Sequence, residues 1–352
     1  MKIVRVEAQP VSVPLKEPFR IALESIPVAE NVFVKVYTDD GVIGYGEAAP
    51  FKMVTGETQQ SILTAVKHLE QSILGLDPMR VALVSEMMDR RMANNNGAKA
   101  ALVSAIYDLA ARHCRIPLYQ FLGGYRDRVK TDITVTIKDS AAMAEDARKA
   151  VAKGFSVLKI KVGISPDEDI DRVAKIREAA GPGIKIRLDA NQGWNAREAI
   201  RSLRVLEEFD VELVEQPVPA GDIEGLRQVR GSVNIPVMAD ESVFSPADAL
   251  RVIKEGAVDY INIKLVKAGG TYKALQINAL AEAAGIECMV GQMIETRLGA
   301  TAAAHLAAAC KNITRIDLDT PYFLSEDPVV GGVTYDGEEI ILGDAAGLGV
   351  SV

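Results

Sequence analysis

The sequence predicts an α/β protein: a TIM-like (β/α)7β barrel that follows an N-terminal α+β capping domain. Three observations predict this class. The chain begins with alternating apolar and polar residues, its middle repeats short apolar runs separated by helical stretches, and charged residues end most of those runs. We expect the capping domain at 1–125, the barrel at 126–320, and a C-terminal segment at 321–352 that returns to the cap.

The composition indicates a globular protein with a large core. The chain has 352 residues, of which 48% are hydrophobic and 25% charged, and its net charge is −8. An acidic chain without a basic patch is not expected to bind nucleic acid. The uncharged stretch 298–310 is shorter than the ~20 residues that span a bilayer, and the charged N-terminus is unlike a signal peptide. We therefore expect a cytoplasmic protein without membrane contacts.

The N-terminal region predicts an antiparallel meander followed by helices. KIVRVEAQPVSV and NVFVKVYTDDGVIGYGEAA alternate apolar with polar residues, and DDG is a turn signal between two runs. Residues 61–74 and 97–114 place small and apolar residues at helical spacing. Gly123 and Gly124 follow as a plausible linker, so this region predicts a small domain of its own.

The middle of the chain predicts eight strands with helices between them. Landmark residues in successive runs, from Lys161 to Lys264, are 28, 26, 25 and 24 residues apart, which suits a strand, a helix and two short loops. An open doubly wound sheet usually carries a glycine-rich turn after its first strand, and TIKDSAAMAEDA has none. A closed parallel barrel is therefore favoured. The runs are TDITVTI, SVLKIKVG, IKIRLDAN, VELVEQPV, PVMADES, YINIKLVKAG, ECMVGQMIE and RIDLDTP.

Carboxylates at the ends of three successive strands predict a metal site. Asp189, Glu215 and Asp240 each follow an apolar run, and the C-terminal strand ends of a parallel barrel meet at one face. Three converging carboxylates would repel one another without a cation. Because the ligand set contains only oxygen, Mg²⁺ is favoured over Zn²⁺. The three cysteines lack the spacing of a zinc site or a disulfide framework.

Lysines on two other strands predict acid–base chemistry. Lys159 and Lys161 lie two apart on the second strand and face the same way, and Lys264 lies on the sixth strand, opposite in an eight-stranded barrel. A cationic neighbour is expected to lower the pKa of a lysine toward neutrality. Two opposed lysines and a metal suit removal of a proton next to a substrate carboxylate and its return from the other face, which inverts the carbon.

The strand-end motifs resemble those of the enolase superfamily, in its muconate-lactonising-enzyme branch. The motifs are KIK, DAN, EQP, ADES and NIK, and the likeness extends to GYGEAAP and LYQFLGGYRD in the first domain. The resemblance implies that Lys161 and Lys264 are the acid–base pair, that Lys159 assists electrostatically, and that Mg²⁺ binds the three carboxylates. Asn191 and Glu241 are candidates for supporting the metal ligands. The family also implies a cap over the barrel mouth and a homo-oligomer.

The motif DLDTP ends the eighth run at the same face of the barrel. In this branch an Asp-x-Asp pair at that position resembles dipeptide epimerases of the L-Ala-D/L-Glu type. The resemblance implies that Asp317 and Asp319 hold the free α-ammonium group of a dipeptide, whose C-terminal residue is inverted. The alternative is that the pair is held by a protein cation such as Arg315 or Arg297.

The cap loop FRIALESIPVAE is expected to contact the side chain of the second substrate residue. Ala-Glu epimerases are expected to offer an arginine there, whereas the corresponding residue here is Glu24, which would favour a basic side chain. Glu57 adds to this expectation. Phe19 and Ile21 either contact the aliphatic part of that side chain or pack on the cap. The remaining candidates for substrate contact are Gln292, Met293 and Thr134.

Other functions stay open at the level of sequence. The same lysines and metal could support o-succinylbenzoate synthase, a cycloisomerase or an N-acylamino acid racemase, although an N-acylated substrate has no ammonium for the aspartates to bind. A Schiff-base aldolase would not need three carboxylates. Branches of the superfamily that use a histidine place it on a late strand, and His68, His113 and His305 do not match; His305 is expected in helix packing.

Overall fold

The computed structural model describes all 352 residues and begins with an antiparallel sheet. The central strand of this sheet pairs with both neighbours, and strand alternation buries one of its faces. The predicted meander is confirmed. The strands are β1 (Ile3–Arg20), β2 (Ser25–Thr38) and β3 (Ile43–Ala48).

Helices cover the buried face of this sheet. The close contact between the third helix and β3 requires glycine, because a Cβ on Gly44 or Gly46 would overlap the carbonyl oxygens of Ala105 and Ala101. The helices predicted at 61–74 and 97–114 are present, and the second helix was not predicted. The helices are α1 (Gln59–Ile73), α2 (Val81–Arg91), α3 (Asn96–Cys114) and α4 (Leu118–Leu122), and β4 (Arg128–Lys130) follows them.

Eight parallel strands then form the predicted barrel. They are hydrogen-bonded in sequence order, and the N–H of Asp132 donates to the carbonyl of Ile316 at 3.2 Å, which joins the first strand to the last. The strands are β5 (Ile133–Val135), β6 (Val157–Lys161), β7 (Lys185–Asp189), β8 (Val211–Glu215), β9 (Val237–Ala239), β10 (Tyr260–Lys264), β11 (Glu287–Gly291) and β12 (Ile313–Asp317).

Helices between the strands surround the barrel. Several begin at a residue whose side chain accepts a backbone N–H of the first turn, for example Asp139, Asn195 and Ser245. The helices are α5 (Ser140–Ala152), α6 (Pro166–Ala180), α7 (Ala196–Leu206), α8 (Ile223–Arg230), α9 (Pro246–Lys254), α10 (Leu265–Ala268), α11 (Thr271–Ala283) and α12 (Arg297–Ala309), with short 3-10 helices at Glu207–Phe209 and Thr320–Tyr322. None of the helices has both the length and the apolar character needed to cross a membrane.

Strand alternation separates the core from the site. Residues such as Leu158 and Ile160 on β6 and Leu188 on β7 belong to the large apolar core. The residues that alternate with them along each strand point into the barrel. Leu213, Met238 and Met289 form a separate buried apolar cluster. Two positions after Leu213 and Met238, Glu215 and Asp240 lie at the C-terminal end of the barrel.

The last part of the chain connects the barrel to the cap. One small sheet has the order β14-β15-β4, and another pairs β13 with β16. The tail reaches α3, where the N–H of Leu348 donates to Asp108 at 2.7 Å and Arg112 donates to the carbonyl of Val350 at 3.0 Å. These strands are β13 (Val330–Gly331), β14 (Thr334–Asp336), β15 (Glu339–Ile341) and β16 (Val350–Ser351).

Candidate active site

A cavity lies between the cap and the C-terminal end of the barrel. It encloses about 760 Å³ of space free of protein atoms, part of it open to solvent. Its wall combines apolar cap residues with polar residues from the barrel strands and the loops after them, including Lys159, Lys161, Asp240, Lys264 and Asp317. The cavity brings most of the predicted site together.

The three predicted metal ligands are buried side by side. Asp189 ends β7 and is paired in register with Glu215 at the end of β8, while Asp240 directly follows β9. Burial favours the neutral acid, but Lys159 and Lys161 outweigh it and hold the pKa of Asp189 well below its usual value. For Glu215, burial and the neighbouring charge of Asp189 prevail and raise its pKa to about 7.

The surroundings of these carboxylates fit a divalent cation bound by oxygen. Asn191 donates its backbone N–H to Asp189 at 3.0 Å and its side-chain amide to Glu241 at 3.3 Å. Burial and the charge of Asp240 raise the pKa of Glu241 to about 8, and its Oε2 has no hydrogen-bond partner. A surplus of buried carboxylates with a free oxygen suits Mg²⁺, which prefers such ligands.

Lys159 is held as a buried cation by three carboxylates. Its Nζ lies 2.7 Å from Asp317, 2.8 Å from Glu215 and 3.0 Å from Asp189. Burial favours the neutral amine, but these charges outweigh it and hold the pKa of Lys159 well above its usual value. Lys159 therefore supplies a fixed positive charge, in keeping with its predicted electrostatic role.

The two predicted acid–base lysines lie on opposite sides of the barrel. Their strands, β6 and β10, are four apart in the order of eight. Lys161 Nζ lies 2.6 Å from Asp189 and 3.2 Å from Asn191 Oδ1, and Lys264 Nζ lies 2.9 Å from Asp240. Burial favours the neutral amine of Lys264, but the adjacent Asp240 carboxylate outweighs this effect and raises the pKa of Lys264.

The aspartates of DLDTP lie beside the lysines. Asp319 accepts the backbone N–H of Thr134 at 2.6 Å, and burial together with the charge of Asp317 raises the pKa of Asp319 to about 7. The arginine alternative does not hold, because Arg315 contacts Glu287 and Arg297 contacts Asp327. The protein cation that reaches this pair is Lys159, through Asp317.

A third aspartate completes this acidic group and was not predicted. Carboxylate oxygens of Asp132, Asp317 and Asp319 lie within 4.8 Å of one another, and Asp132 contacts Arg187 at 2.9 Å. Asp132 precedes β5, so a search of strand C-termini does not find it. The alternation that places Asp189 inside the barrel also places Arg187 there, and that signal was available in the sequence. The group is suited to a compact cation.

Cap residues form the apolar part of the cavity wall. Phe19 and Ile21 pack in a small apolar cluster of the cap and also line the cavity, so contact with a substrate side chain stays a prediction. The ring of Phe19 packs edge-on against Phe323 at 5.2 Å between centroids. Gln292, Met293 and Thr134 line the cavity as expected.

Two predicted substrate contacts are corrected by the structure. Glu24 is not on the cavity wall, and its carboxylate contacts Lys52 at 2.6 Å, so its charge is balanced within the cap. Both carboxylate oxygens of Glu57 accept the N–H of Gly97, at 3.1 and 3.0 Å, and Glu57 so stabilises the start of α3. The predicted preference for a basic side chain therefore loses the contacts on which it depended.

Glu47 joins the cap to the barrel close to the cavity and was not predicted. It accepts hydrogen bonds from Asn31, from the N–H and hydroxyl of Thr296 and from the N–H of Gly299, at 2.7 to 2.9 Å. Asn31 also donates to the carbonyl of Ile294. The only sequence signal was its position in the motif GYGEAAP.

Two family models match nearly the whole chain. The model described as "Mandelate racemase / muconate lactonizing enzyme, N-terminal domain" matches residues 3–123, and that described as "Enolase C-terminal domain-like" matches residues 142–352. The chain is 48% identical to a hydrophobic dipeptide epimerase of Enterococcus faecalis, covering 100% of both chains. It is 46% identical to the L-Ala-D/L-Glu epimerase of Bacillus subtilis, covering 99% of this chain and 97% of the relative.

Solved structures agree with these matches. A complex of the Enterococcus faecalis dipeptide epimerase with Mg and the dipeptide L-Leu-L-Tyr superposes with a TM-score of 0.98, 48% identity and 100% coverage of both chains. A substrate-liganded complex of the Bacillus subtilis enzyme superposes with a TM-score of 0.98, 46% identity and 99% coverage of both chains.

Proposed function

Because the chain belongs to the mandelate racemase/muconate lactonizing enzyme family of the enolase superfamily, we propose that it is a Mg²⁺-dependent dipeptide epimerase. The reaction inverts the α-carbon of the C-terminal residue by moving a proton off one face and onto the other. The observation that carries the proposal is the arrangement of the cavity: two lysines on opposite strands, three buried carboxylates between them and an acidic pair alongside. The relatives at 46–48% identity support it.

The buried carboxylates of the site require positive charge beside them. Asp189, Glu215 and Asp240 would hold Mg²⁺, with Asn191 and Glu241 beside them. When bound, Mg²⁺ supplies the charge that stabilises the carboxylate of the substrate as it gains electron density in the enediolate. Lys159 adds a fixed positive charge on the same side, held by its three carboxylate contacts.

The two opposed lysines would exchange the proton. Lys161 would act on one face of the α-carbon and Lys264 on the other, so that one accepts the proton while the other returns one. A lysine must lose its own proton to serve as a base, and charge neutralisation of Asp189 and Asp240 would make this easier. The roles of the two lysines reverse between the two epimers, which makes the reaction symmetrical.

The acidic pair supports a substrate with a free amino group. Asp317 and Asp319, with Asp132 behind them, form a buried group with room for more positive charge, as the raised pKa of Asp319 indicates. An α-ammonium group supplies that charge and an N-acyl group does not. This favours a dipeptide over the substrates of an N-acylamino acid racemase, and it also disfavours o-succinylbenzoate synthase and cycloisomerase activity.

The cap supports an apolar second residue. The cavity wall near the cap includes Phe19, Ile21, Ile26, Phe51 and Ile294, while Glu24 is not part of this wall and pairs with Lys52. An apolar wall binds an apolar side chain by removing both from water, at about 25 cal/mol per Å². We therefore propose that leucine, phenylalanine or a similar residue is preferred over the basic residue predicted from the sequence.

A dipeptide library incubated with enzyme and Mg²⁺ in D₂O tests the function and the preference together. A mass gain of one unit at the C-terminal α-carbon identifies a substrate, and chiral chromatography shows inversion. L-Ala-L-Leu and L-Ala-L-Phe are expected to react faster than L-Ala-L-Glu and L-Ala-L-Lys. Absence of exchange in every dipeptide contradicts the function, whereas faster turnover of L-Ala-L-Lys contradicts only the apolar preference.

Two further properties stay proposals. We propose a homo-oligomer, from the resemblance to the family, and light scattering after size-exclusion chromatography measures it. A cytoplasmic location is proposed from the ordinary globular composition of the chain, and cell fractionation tests it.

A further inference from the structure

Lys267 is a fully buried lysine that has no part in the proton transfer described above. It lies on α10, three residues after Lys264, and its residue exposure is 0%. Its Nζ lies 2.5 Å from Oδ1 of Asp240 and donates to the carbonyl oxygens of Asp240, Val243 and Asn262, the last two at 3.1 and 3.2 Å. The charge of Lys267 is therefore surrounded by four oxygens.

Such an arrangement indicates that the charge is used. Burying an ammonium group is costly unless hydrogen bonds and an opposite charge compensate, and an apolar residue of similar length would avoid the cost. The oxygens around Lys267 come from the loop after β9 and from the middle of the neighbouring strand β10. Lys267 thus joins the loop that carries a proposed metal ligand to the strand that carries a proposed base.

The same contacts reach a second metal ligand. Asn262, whose carbonyl accepts from Lys267, donates its side-chain amide to Oε1 of Glu215 at 2.7 Å. Neither Lys267 nor Asn262 lines the cavity, so both act from behind the ligands. Within Asp240, Oδ1 contacts Lys267 and Oδ2 contacts Lys264 at 2.9 Å, so a different lysine holds each carboxylate oxygen.

We propose that Lys267 is a positioning residue that fixes the carboxylate of Asp240 in the orientation in which it binds Mg²⁺. The inference rests on the proposed magnesium site and names a residue on which its affinity depends. With Lys267 in place, the carboxylate of Asp240 is held between two lysines, one at each oxygen. Without it, Lys264 is the one cation left in contact with the carboxylate, and the ligand geometry relaxes.

Mg²⁺ titration by isothermal calorimetry tests this role without relying on activity. In Lys267→Met the Kd for Mg²⁺ is expected to rise roughly tenfold or more, the range for loss of a partner of a metal ligand. Lys267→Arg keeps the charge and is expected to recover most of the affinity. The control Lys175→Met removes an exposed lysine on α6 that pairs with Asp171, and its Kd is expected to stay within about twofold of the parent.

Kinetics separate positioning from a general loss of structure. At saturating Mg²⁺, Lys267→Met is expected to recover most of its kcat with little change in the KM for the dipeptide. A folded Lys267→Met protein with unchanged or tighter Mg²⁺ binding overturns the proposal. If Lys267→Met does not fold, Lys267→Gln replaces it, and failure of both to fold also overturns it in favour of a purely structural role. If the parent protein binds no Mg²⁺, the proposed function fails instead.

Discussion

Single residues in the barrel mouth hold one another in charged states. Lys159 contacts three carboxylates, and Asp189 and Asp240 keep low pKa values because lysines outweigh the effect of burial. Other acids in the same group, such as Glu215 and Asp319, have pKa values raised to about 7. The charges of the lysines and carboxylates are therefore nearly balanced, and added cations would complete the balance. Single substitutions should disturb this balance strongly.

The roles of the two opposed lysines can be separated by isotope exchange. Lys161→Ala and Lys264→Ala are each expected to lower inversion of a dipeptide by about 10²–10⁴-fold, because each removes one acid–base group. Each variant is expected to keep exchange of the α-proton in D₂O starting from one epimer, and the favoured epimer should differ between them. NMR of the α-proton signal measures both. Inversion at the parental rate in either variant contradicts the two-base mechanism.

Replacement of Asp319 tests recognition of the amino group. Asp319→Asn removes a charged hydrogen-bond acceptor worth about 1.5–3 kcal/mol, so KM for a free dipeptide is expected to rise roughly tenfold or more. An N-acetylated dipeptide should be a poor substrate for parent and variant alike. Glu24→Gln is the matched control, since Glu24 contacts Lys52 and not the cavity. An equal KM for the free dipeptide in parent and Asp319→Asn contradicts the assignment.

At the scale of elements, buried contacts fix how helices and loops meet the barrel. Glu47 of β3 accepts two backbone N–H groups at the start of α12 and so stabilises this helix end. Asp108 of α3 accepts the N–H of Leu348 and so holds the tail that follows β15. His305 of α12 is buried as expected from the sequence, and its Nδ1 accepts the N–H of Tyr119 on α4 at 2.9 Å. These contacts join segments far apart in sequence.

The buried histidine makes stability depend on pH. Burial lowers the pKa of His305 to about 3, so the folded state keeps it neutral while the unfolded chain gains a proton near pH 6.5. Its contribution is complete above pH 6.5 and is lost as the pH falls toward 3, by about 2 kcal/mol at pH 5. Urea unfolding at pH 7.5 and 5.0 is expected to show a smaller acid-induced loss in His305→Gln than in the parent.

Exposed His113 provides the control for this prediction. His113→Gln should leave the difference in unfolding free energy between the two pH values unchanged. An acid-induced loss in His305→Gln equal to that of the parent would mean that other groups account for the pH dependence.

At the scale of the whole molecule, the barrel brings together carboxylates that only a cation can stabilise. Mg²⁺ is expected to raise the melting temperature, because it binds the folded chain; at about 100 times its Kd the gain is about 2.7 kcal/mol. EDTA should reverse the shift, and Asp240→Asn should reduce it strongly. Differential scanning fluorimetry measures all three, and an equal shift in Asp240→Asn would contradict binding at this site.

The boundaries between the cap, the barrel and the C-terminal segment are a property of the whole molecule. Helices α1 to α4 precede the barrel, and the C-terminal segment contacts both β4 and α3. The limits at 125 and 320 stay a prediction. Expression of residues 126–352 alone, compared with the whole chain, would test whether the barrel folds without the cap.

The sequence alone predicted much of the barrel and where the candidate site residues lie on it. Strand spacing and the charged run ends predicted the eight strands, the two lysines and the three carboxylates, because a parallel barrel places all strand C-termini on one face and a strand alternates its side chains. Local pattern is sufficient for residues whose position depends on their own strand.

Tertiary structure decided what depends on distant partners. The pairing of Glu24 with Lys52, the use of Glu57 at the start of α3, the approach of Asp132 to the DLDTP aspartates and the enclosure of Lys267 each join residues from different elements. Charge interactions fall off over a few ångströms, so a carboxylate's role is set by the cation that folding brings beside it. Sequence position alone does not contain that distance.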